Sequence, residues 1–208
     1  IVIAVCLVLV GLLFALPVKQ FIVLNTEGEQ IMGTAAIAME RDFENAYAGE
    51  LTNERITSDI AAYQALFDDP ANVSQDSDTK ALSKTAYFKH FFPYIDYWKL
   101  INGNYVAAST YDSSFSAITN MNLEDGVDFY AARDKKVSTM LNYSYADWNF
   151  SDSEKAFWQN RVSSVKTPYE YGYHAGWKLL LSCMELFVVG ILGICICVSG
   201  TFSGEYQS

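Results

Sequence analysis

Two long apolar blocks enclose a central segment in which apolar residues recur at helical spacing. The second block, 179–198, has twenty residues, and as a helix it spans about 30 Å, the thickness of a hydrocarbon core. The first block, 1–16, is shorter and is followed by Pro17. A secretory signal peptide is the alternative for the first block, but no obvious small-residue cleavage site precedes Pro17. The pattern predicts two membrane helices around one domain.

The central segment begins with two predicted helices. The first ends near Gly49 and carries its apolar residues on one face, at Met32, Ala36, Met39, Phe43 and Tyr47. Thr52 is a predicted N-cap of the second, because its hydroxyl can accept a hydrogen bond from a free backbone amide. The apolar face of this second helix lies at Ile56, Ile60, Tyr63 and Phe67. Residues 71–79 are small and polar, which predicts a loop.

The rest of the central segment is also predicted to be largely helical. Residues 82–101 form an aromatic-rich helix that Pro93 kinks or restarts, and Asn-Gly-Asn at 102–104 is a predicted turn. For 105–118, a short strand and an irregular segment fit equally well. A further helix is predicted from the apolar positions Val127, Tyr130, Val137 and Leu141. The last predicted helix begins with a capping box at Ser151 and Glu154. Its apolar stripe is Phe157, Trp158, Val162 and Val165.

Because strand-like alternation is scarce, the predicted fold class is mainly α, with two transmembrane helices flanking a predominantly helical extracytoplasmic domain. Residues 1–24 are expected to be the first transmembrane helix, truncated at its N-terminus, and 25–170 an acidic helical extracellular domain. Residues 171–198 are expected to be an aromatic-rich entrance followed by the second transmembrane helix. Residues 199–208 are expected to begin a cytoplasmic segment.

Charge and cysteine content narrow the class of protein further. The chain of 208 residues has a formal net charge of −10, carried mostly by the central segment. Such a surface repels phosphate backbones, which argues against nucleic acid as a partner. All four cysteines lie in the apolar blocks, so the central domain is not stapled by disulfides.

Residues that commonly perform catalysis or bind metals are sparse. The two histidines, His90 and His174, stand in no metal-ligand pattern, and neither a nucleophile elbow nor a phosphate-binding glycine loop is present. No catalytic, cofactor-binding or metal-binding residue is therefore predicted. The abundant Tyr and Phe residues indicate core packing, with a surface for an amphipathic ligand as the alternative. Glu185 is predicted to be the one intramembrane charge, a type of residue that often serves function.

The second apolar block has a motif on each side. Before it stands Pro-Tyr-Glu-Tyr-Gly-Tyr-His-Ala-Gly-Trp at 168–177, and after it Phe-Ser-Gly-Glu-Tyr-Gln-Ser at 202–208. With these motifs the chain resembles the permease subunits of ABC-2-type transporters from Gram-positive bacteria. The segment 49–54 also resembles part of their large extracellular insertion between the first two membrane helices.

This resemblance implies a multi-pass cell-membrane protein that depends on a separate ABC ATPase subunit, contacts membrane lipid, and can pair with a second permease copy. It implies no cofactor and no enzymatic activity of the chain's own. The substrate it implies is an amphiphile such as a lipid or an antimicrobial peptide. The implied cytoplasmic coupling residues are Phe202, Glu205 and Tyr206, and the implied interfacial motif is Pro168, Tyr171, Tyr173, Gly176 and Trp177.

A receptor is the alternative from another functional class. An extracellular sensor domain between two membrane helices, as in a sensor kinase, fits the same layout of apolar and polar segments. The segment after residue 208 distinguishes the two classes, since a permease continues into further membrane helices and a kinase into a signalling linker.

Overall fold

Helices dominate the part of the chain that the computed structural model describes, which confirms the predicted mainly helical class. The described residues are 11, 15, 17–75, 80–106, 115–124, 126–143, 149–172, 188, 191 and 195. They fall mainly into two compact units. One contains residues 17–24 and 30–42, and the other contains Asn25–Glu29 and Phe43–Gly172.

The smaller unit contains a two-stranded ribbon. Strand β1 (Ile22–Leu24) pairs antiparallel with β2 (Gln30–Met32), and Val23 stands opposite Ile31. Helical structure ends at Gln20, so 22–24 are a strand although the sequence predicted a membrane helix as far as residue 24. Helix α1 (Gly33–Ala46) follows β2 directly, and Met32, predicted to be helical, is therefore the last residue of a strand.

The larger unit begins its regular structure with strand β3 (Gly49–Leu51) and helix α2 (Asn53–Ala65). Thr52 is the N-cap of α2, as predicted, and its side chain accepts a hydrogen bond from the Arg55 amide at 3.2 Å. Two 3₁₀ turns follow, Leu66–Asp68 and Pro70–Asn72.

A long helical stretch of mixed geometry forms the middle of this unit. It consists of α3 (Lys84–Ala86), a π turn (Tyr87–Phe91), a 3₁₀ turn (Phe92–Tyr94), α4 (Ile95–Ile101) and a second π turn (Asn102–Val106). Pro93 lies at the start of the 3₁₀ turn, where its missing amide hydrogen interrupts the α-helical ladder as predicted. The predicted turn at 102–104 is wrong, because the backbone there continues as a π turn.

Three more helices follow: α5 (Ser116–Thr119), α6 (Phe129–Leu141) and α7 (Asp152–Ser163). The predicted capping box of α7 is confirmed, since Ser151 and Glu154 bond to each other's backbone amides. Helix α7 buries none of its residues, however, and Phe157 and Trp158 are about half exposed. The apolar stripe predicted for this helix is therefore not a core face.

Strand β4 (Tyr169–Tyr171) pairs antiparallel with β3 and closes the larger unit. A single cluster of buried residues, rich in aromatic side chains, forms its core. Tyr97, Trp98 and Phe129 are the largest of the fully buried side chains, and each contributes on the order of 1.5–3 kcal/mol or more by leaving water.

No helix among the described residues is both long enough and apolar enough to cross a membrane. The predicted second span lies outside the described residues except at Val188, Ile191 and Cys195, which are helical and exposed. The first block lies outside them except at Gly11 and Ala15.

Candidate functional site

An aromatic cleft opens on the larger unit, between the end of α2, the segment 80–82, the first π turn and α5. Its volume is about 470 Å³, within the range of pockets that hold small molecules. Five aromatic rings form part of its wall: Tyr63, Phe67, Tyr87, Phe91 and Phe115. We call this feature the aromatic cleft.

Helical spacing brings these rings together in pairs. Tyr63 and Phe67 lie four residues apart and meet edge to face, with centroids 5.6 Å apart. Tyr87 and Phe91 have the same spacing and centroids 5.5 Å apart. Phe115 then packs edge-on against Phe91 at 4.7 Å, which joins α5 to the π turn. The five rings of the cleft thus come from three separate parts of the chain.

Few polar groups line the cleft, and the charged one among the described lining residues is a cation. Lys80 is exposed and places its ammonium group 5.1 Å from the centroid of the Phe67 ring. Ser116 and Thr119 add hydroxyl groups, and that of Thr119 donates to the carbonyl oxygen of Phe115 at 3.0 Å. Among the described lining residues Lys80 is the one that carries a charge, and it is a cation in a chain that is strongly negative as a whole.

Burial makes Tyr63, one of the two tyrosines of the cleft wall, harder to ionise. Desolvation raises the pKa of Tyr63 above its usual value, and a hydrogen bond with Thr119 only partly offsets this. At neutral pH the Tyr63 hydroxyl is therefore protonated and can donate as well as accept a hydrogen bond. His90 lies one residue before Phe91 but does not line the cleft; burial and the neighbouring Lys89 lower its pKa, so it is neutral too.

Trp98 lies behind the wall of the cleft. Its ring is 1% exposed and packs on Tyr63 and Phe91, with centroid distances of 5.0 and 6.5 Å. The indole Nε1 is buried and has no hydrogen-bond partner among the described residues. Trp98 therefore contacts two rings of the cleft wall, and its fluorescence is expected to change when a ligand binds in the cleft.

A second polar cluster supports the core beside Trp98. The Tyr97 hydroxyl donates to Oδ2 of Asp59 at 2.5 Å, and the Arg55 Nε donates to the same oxygen at 3.0 Å. Tyr47 stacks on Tyr97 with ring centroids 4.1 Å apart. This arrangement anchors α4 to α2 and holds Trp98 in place behind the cleft.

The β3–β4 ribbon joins the two ends of the larger unit. Gly49 pairs with Tyr171, and Leu51 pairs with Tyr169. Lys166 bridges the two strands from outside, with its Nζ 3.1 Å from Oε1 of Glu50, and this carboxylate raises the lysine pKa. The ribbon therefore brings Gly49, near the start of the segment Phe43–Gly172, beside Tyr171, near its end.

Two of the residues in the predicted interfacial motif lie in this ribbon region. Pro168 is half-buried and directly precedes β4, and the Thr167–Pro168 peptide bond is cis. Tyr171 is buried, and its ring meets Tyr97 edge-on at 5.2 Å. Tyr171 thus packs in the core of the unit, and an interfacial role for the motif as a whole stays a prediction.

The other predicted site residues lie outside the described residues: Tyr173, Gly176, Trp177, Glu185, Phe202, Glu205 and Tyr206. Their interfacial, intramembrane and coupling roles stay predictions.

Sequence reasoning anticipated an aromatic surface for an amphipathic ligand as an alternative, but it did not identify the polar groups of the cleft. Lys80 directly follows the predicted loop, and nothing in its sequence neighbourhood links it to Phe67 or Phe115. The spacing of Tyr63 with Phe67, and of Tyr87 with Phe91, is the signal that was present. What the described lining offers a ligand is flat apolar surface, the hydroxyl groups of serine, threonine and tyrosine side chains, and one ammonium group.

Comparison of the chain with protein-family models, with curated proteins and with solved structures gives no match.

Proposed function

We propose that this chain is part of the permease subunit of an ATP-driven transporter, in which the larger helical unit lies outside the cell between two membrane helices. A separate ABC ATPase subunit supplies the energy, and the cargo is an amphiphile. The pairing of Gly49 with Tyr171 is the observation that supports this proposal most. A domain inserted between two neighbouring spans is expected to receive and return the chain at nearby points, and the β3–β4 ribbon brings Gly49 and Tyr171 together near the two ends of the segment Phe43–Gly172.

Side chains in the apolar blocks give a second line of support. Val188 and Ile191 are helical, and 54% and 61% of their surfaces are exposed. Exposed apolar side chains within a continuous apolar run of sequence, rather than scattered singly, are typical of surfaces that contact lipid or protein. The segment to which they belong has the length of a membrane span.

The orientation can be tested by thiol labelling in intact cells. We replace the four native cysteines by serine and introduce either Ala132→Cys, on the exposed surface of α6, or Ser208→Cys, in the predicted cytoplasmic segment. A membrane-impermeant maleimide is expected to label the first variant from outside and the second only after lysis. Labelling of Ala132→Cys only after lysis contradicts the proposed orientation.

The transport role needs its own test. Glu205→Gln removes the charge predicted at the coupling region and should impair ATP-coupled transport in a reconstituted permease–ATPase pair, with membrane insertion unchanged. Glu170→Gln, an exposed acid on β4, is the matched control and should transport normally. Equal transport by Glu205→Gln and the unsubstituted protein contradicts the coupling role, and failure of the chain to co-purify with any ATPase contradicts the permease proposal.

A further inference from the structure

We propose that the aromatic cleft is a binding site for a small molecule with a flat apolar body and one carboxylate group. The rings hold the body and the Lys80 ammonium holds the carboxylate. This site goes beyond the transport role and stands whether or not the chain is a permease.

The shape and lining of the cleft determine the body of the ligand. A volume of about 470 Å³ accommodates a molecule of two or more fused rings. Phe91 and Phe115 meet edge to face at 75°; Phe91 is only 3% exposed, so a flat ligand contacts chiefly the half-buried rings of Phe115 and Tyr87. Aromatic pairs gain about 0.5–1.5 kcal/mol beyond their buried area in such arrangements, which favours an aromatic body over an aliphatic chain.

The charge of the lining determines the polar group. Lys80 is the only charged residue among the described residues that line the cleft, and its ammonium lies over Phe67 rather than beside an acid. In a chain with a net charge of −10, a cation at the edge of an apolar cleft, with no carboxylate among the lining residues that the structure describes, complements an anion. The hydroxyl groups of Ser116 and Thr119 can orient the same ligand by hydrogen bonds.

The test compares two probes that differ only in charge. 2-Naphthoate carries the carboxylate, and 2-naphthamide is its neutral isostere. Each is titrated by calorimetry into the purified full chain in a non-ionic detergent, and the heat of titration into detergent alone is subtracted. The unsubstituted chain is expected to bind 2-naphthoate about fivefold more tightly than 2-naphthamide, the size of an exposed ion pair.

Three variants assign this binding to the cleft. Lys80→Met keeps the apolar stem and should remove the preference for 2-naphthoate, whereas Lys80→Arg should retain it. Ala81→Trp fills the cleft and should weaken both probes at least tenfold. The matched controls are Lys135→Met and Ala132→Trp, two exposed positions of α6 that do not line the cleft, and both should bind like the unsubstituted chain.

Each result decides the proposal in one direction. Loss of the charge preference in Lys80→Met alone supports it. Absence of binding at millimolar probe, equal binding of the two probes by the unsubstituted chain, or an equal loss in Lys135→Met overturns it. If Ala81→Trp fails to give the circular dichroism spectrum of the folded chain, the exposed Lys80 variants still decide the outcome.

Discussion

The hydroxyl group of Tyr130 donates a hydrogen bond to the carbonyl oxygen of Leu51, at 2.6 Å. The same hydroxyl accepts a hydrogen bond from the Tyr169 amide, at 2.7 Å. Leu51 and Tyr169 are paired residues of β3 and β4, so the side chain of α6 links the two strands at the end of a ribbon only three residues long. A short ribbon needs such support, because an isolated two-stranded ribbon is marginal in water.

Tyr130→Phe removes this link and keeps the ring. The carbonyl and the amide then lose their partner, which should lower the free energy of unfolding by about 1–3 kcal/mol. Urea unfolding followed by tryptophan fluorescence measures the change, and hydrogen exchange at the Tyr169 amide should become faster. Tyr143→Phe, at a side chain that is 64% exposed, is the control and should leave both quantities unchanged. An equal stability of Tyr130→Phe and the unsubstituted chain would show that the ribbon does not depend on this hydroxyl.

Stability should fall at alkaline pH because buried tyrosines resist ionisation. Burial, and after it the charge of Asp59, raises the pKa of Tyr47 to about 12, and burial and the hydrogen bond to Asp59 raise the pKa of Tyr97 as well. In the unfolded chain both groups ionise near pH 10. Between about pH 10 and 12 the unfolded state binds fewer protons than the folded state, so the free energy of unfolding decreases as pH rises.

The measurement is the urea midpoint as a function of pH. These tyrosines should leave the midpoint unchanged below pH 9 and should lower it above that pH. Each such group lowers the free energy of unfolding by up to about 1.4 kcal/mol per pH unit. Tyr47→Phe should make the fall of the urea midpoint above pH 9 less steep. Tyr143→Phe, at an exposed position, should not change it. A slope that is the same in both variants contradicts the raised pKa of Tyr47.

Gly28 combines a left-handed backbone with a close neighbour. Its φ is +82°, and a Cβ built on it lies 3.2 Å from the ring carbons of Phe88. Gly28→Ala should therefore destabilise the protein by about 1–3 kcal/mol, since backbone strain and ring contact act together. Thermal unfolding of the purified chain measures this loss of stability.

Two other glycines separate the strain from the contact. Gly126 has φ +66° with open space around it, so Gly126→Ala should show the cost of the backbone alone. Gly103 is in the second π turn, with open space and no left-handed conformation, and Gly103→Ala should be neutral or slightly stabilising. If Gly28→Ala costs no more than Gly126→Ala, the Phe88 ring moves aside without penalty.

Local signals in the sequence were sufficient for the starts of α2 and α7. Thr52 and the pair Ser151 and Glu154 act on amides within three residues of themselves, so their capping roles do not depend on the rest of the fold. The proline interruption at Pro93 was predictable for the same reason, because a missing amide hydrogen breaks a helix in any context.

The strands and the cleft were not predictable in this way. Each strand has three residues, too few for alternation to appear, and the pairing of Leu51 with Tyr169 joins distant parts of the chain. The position of Lys80 over Phe67 likewise depends on tertiary packing and not on helical spacing. The π turn that replaced the predicted turn at 102–104 buries Asn102 and Tyr105, so tertiary burial there outweighed the local turn preference.

Helix α7 should depend on its capping box more than the other long helices do. None of its residues is buried, so tertiary packing contributes little to its stability. Ser151→Ala removes the acceptor for the Glu154 amide, a loss of about 1 kcal/mol for an N-cap serine. We expect the backbone amides of the first turn of α7 to exchange about fivefold faster, with the thermal midpoint of the larger unit almost unchanged. Ser138→Ala, an exposed position on α6, serves as the control. A large drop in the thermal midpoint of Ser151→Ala would show instead that α7 folds cooperatively with the core.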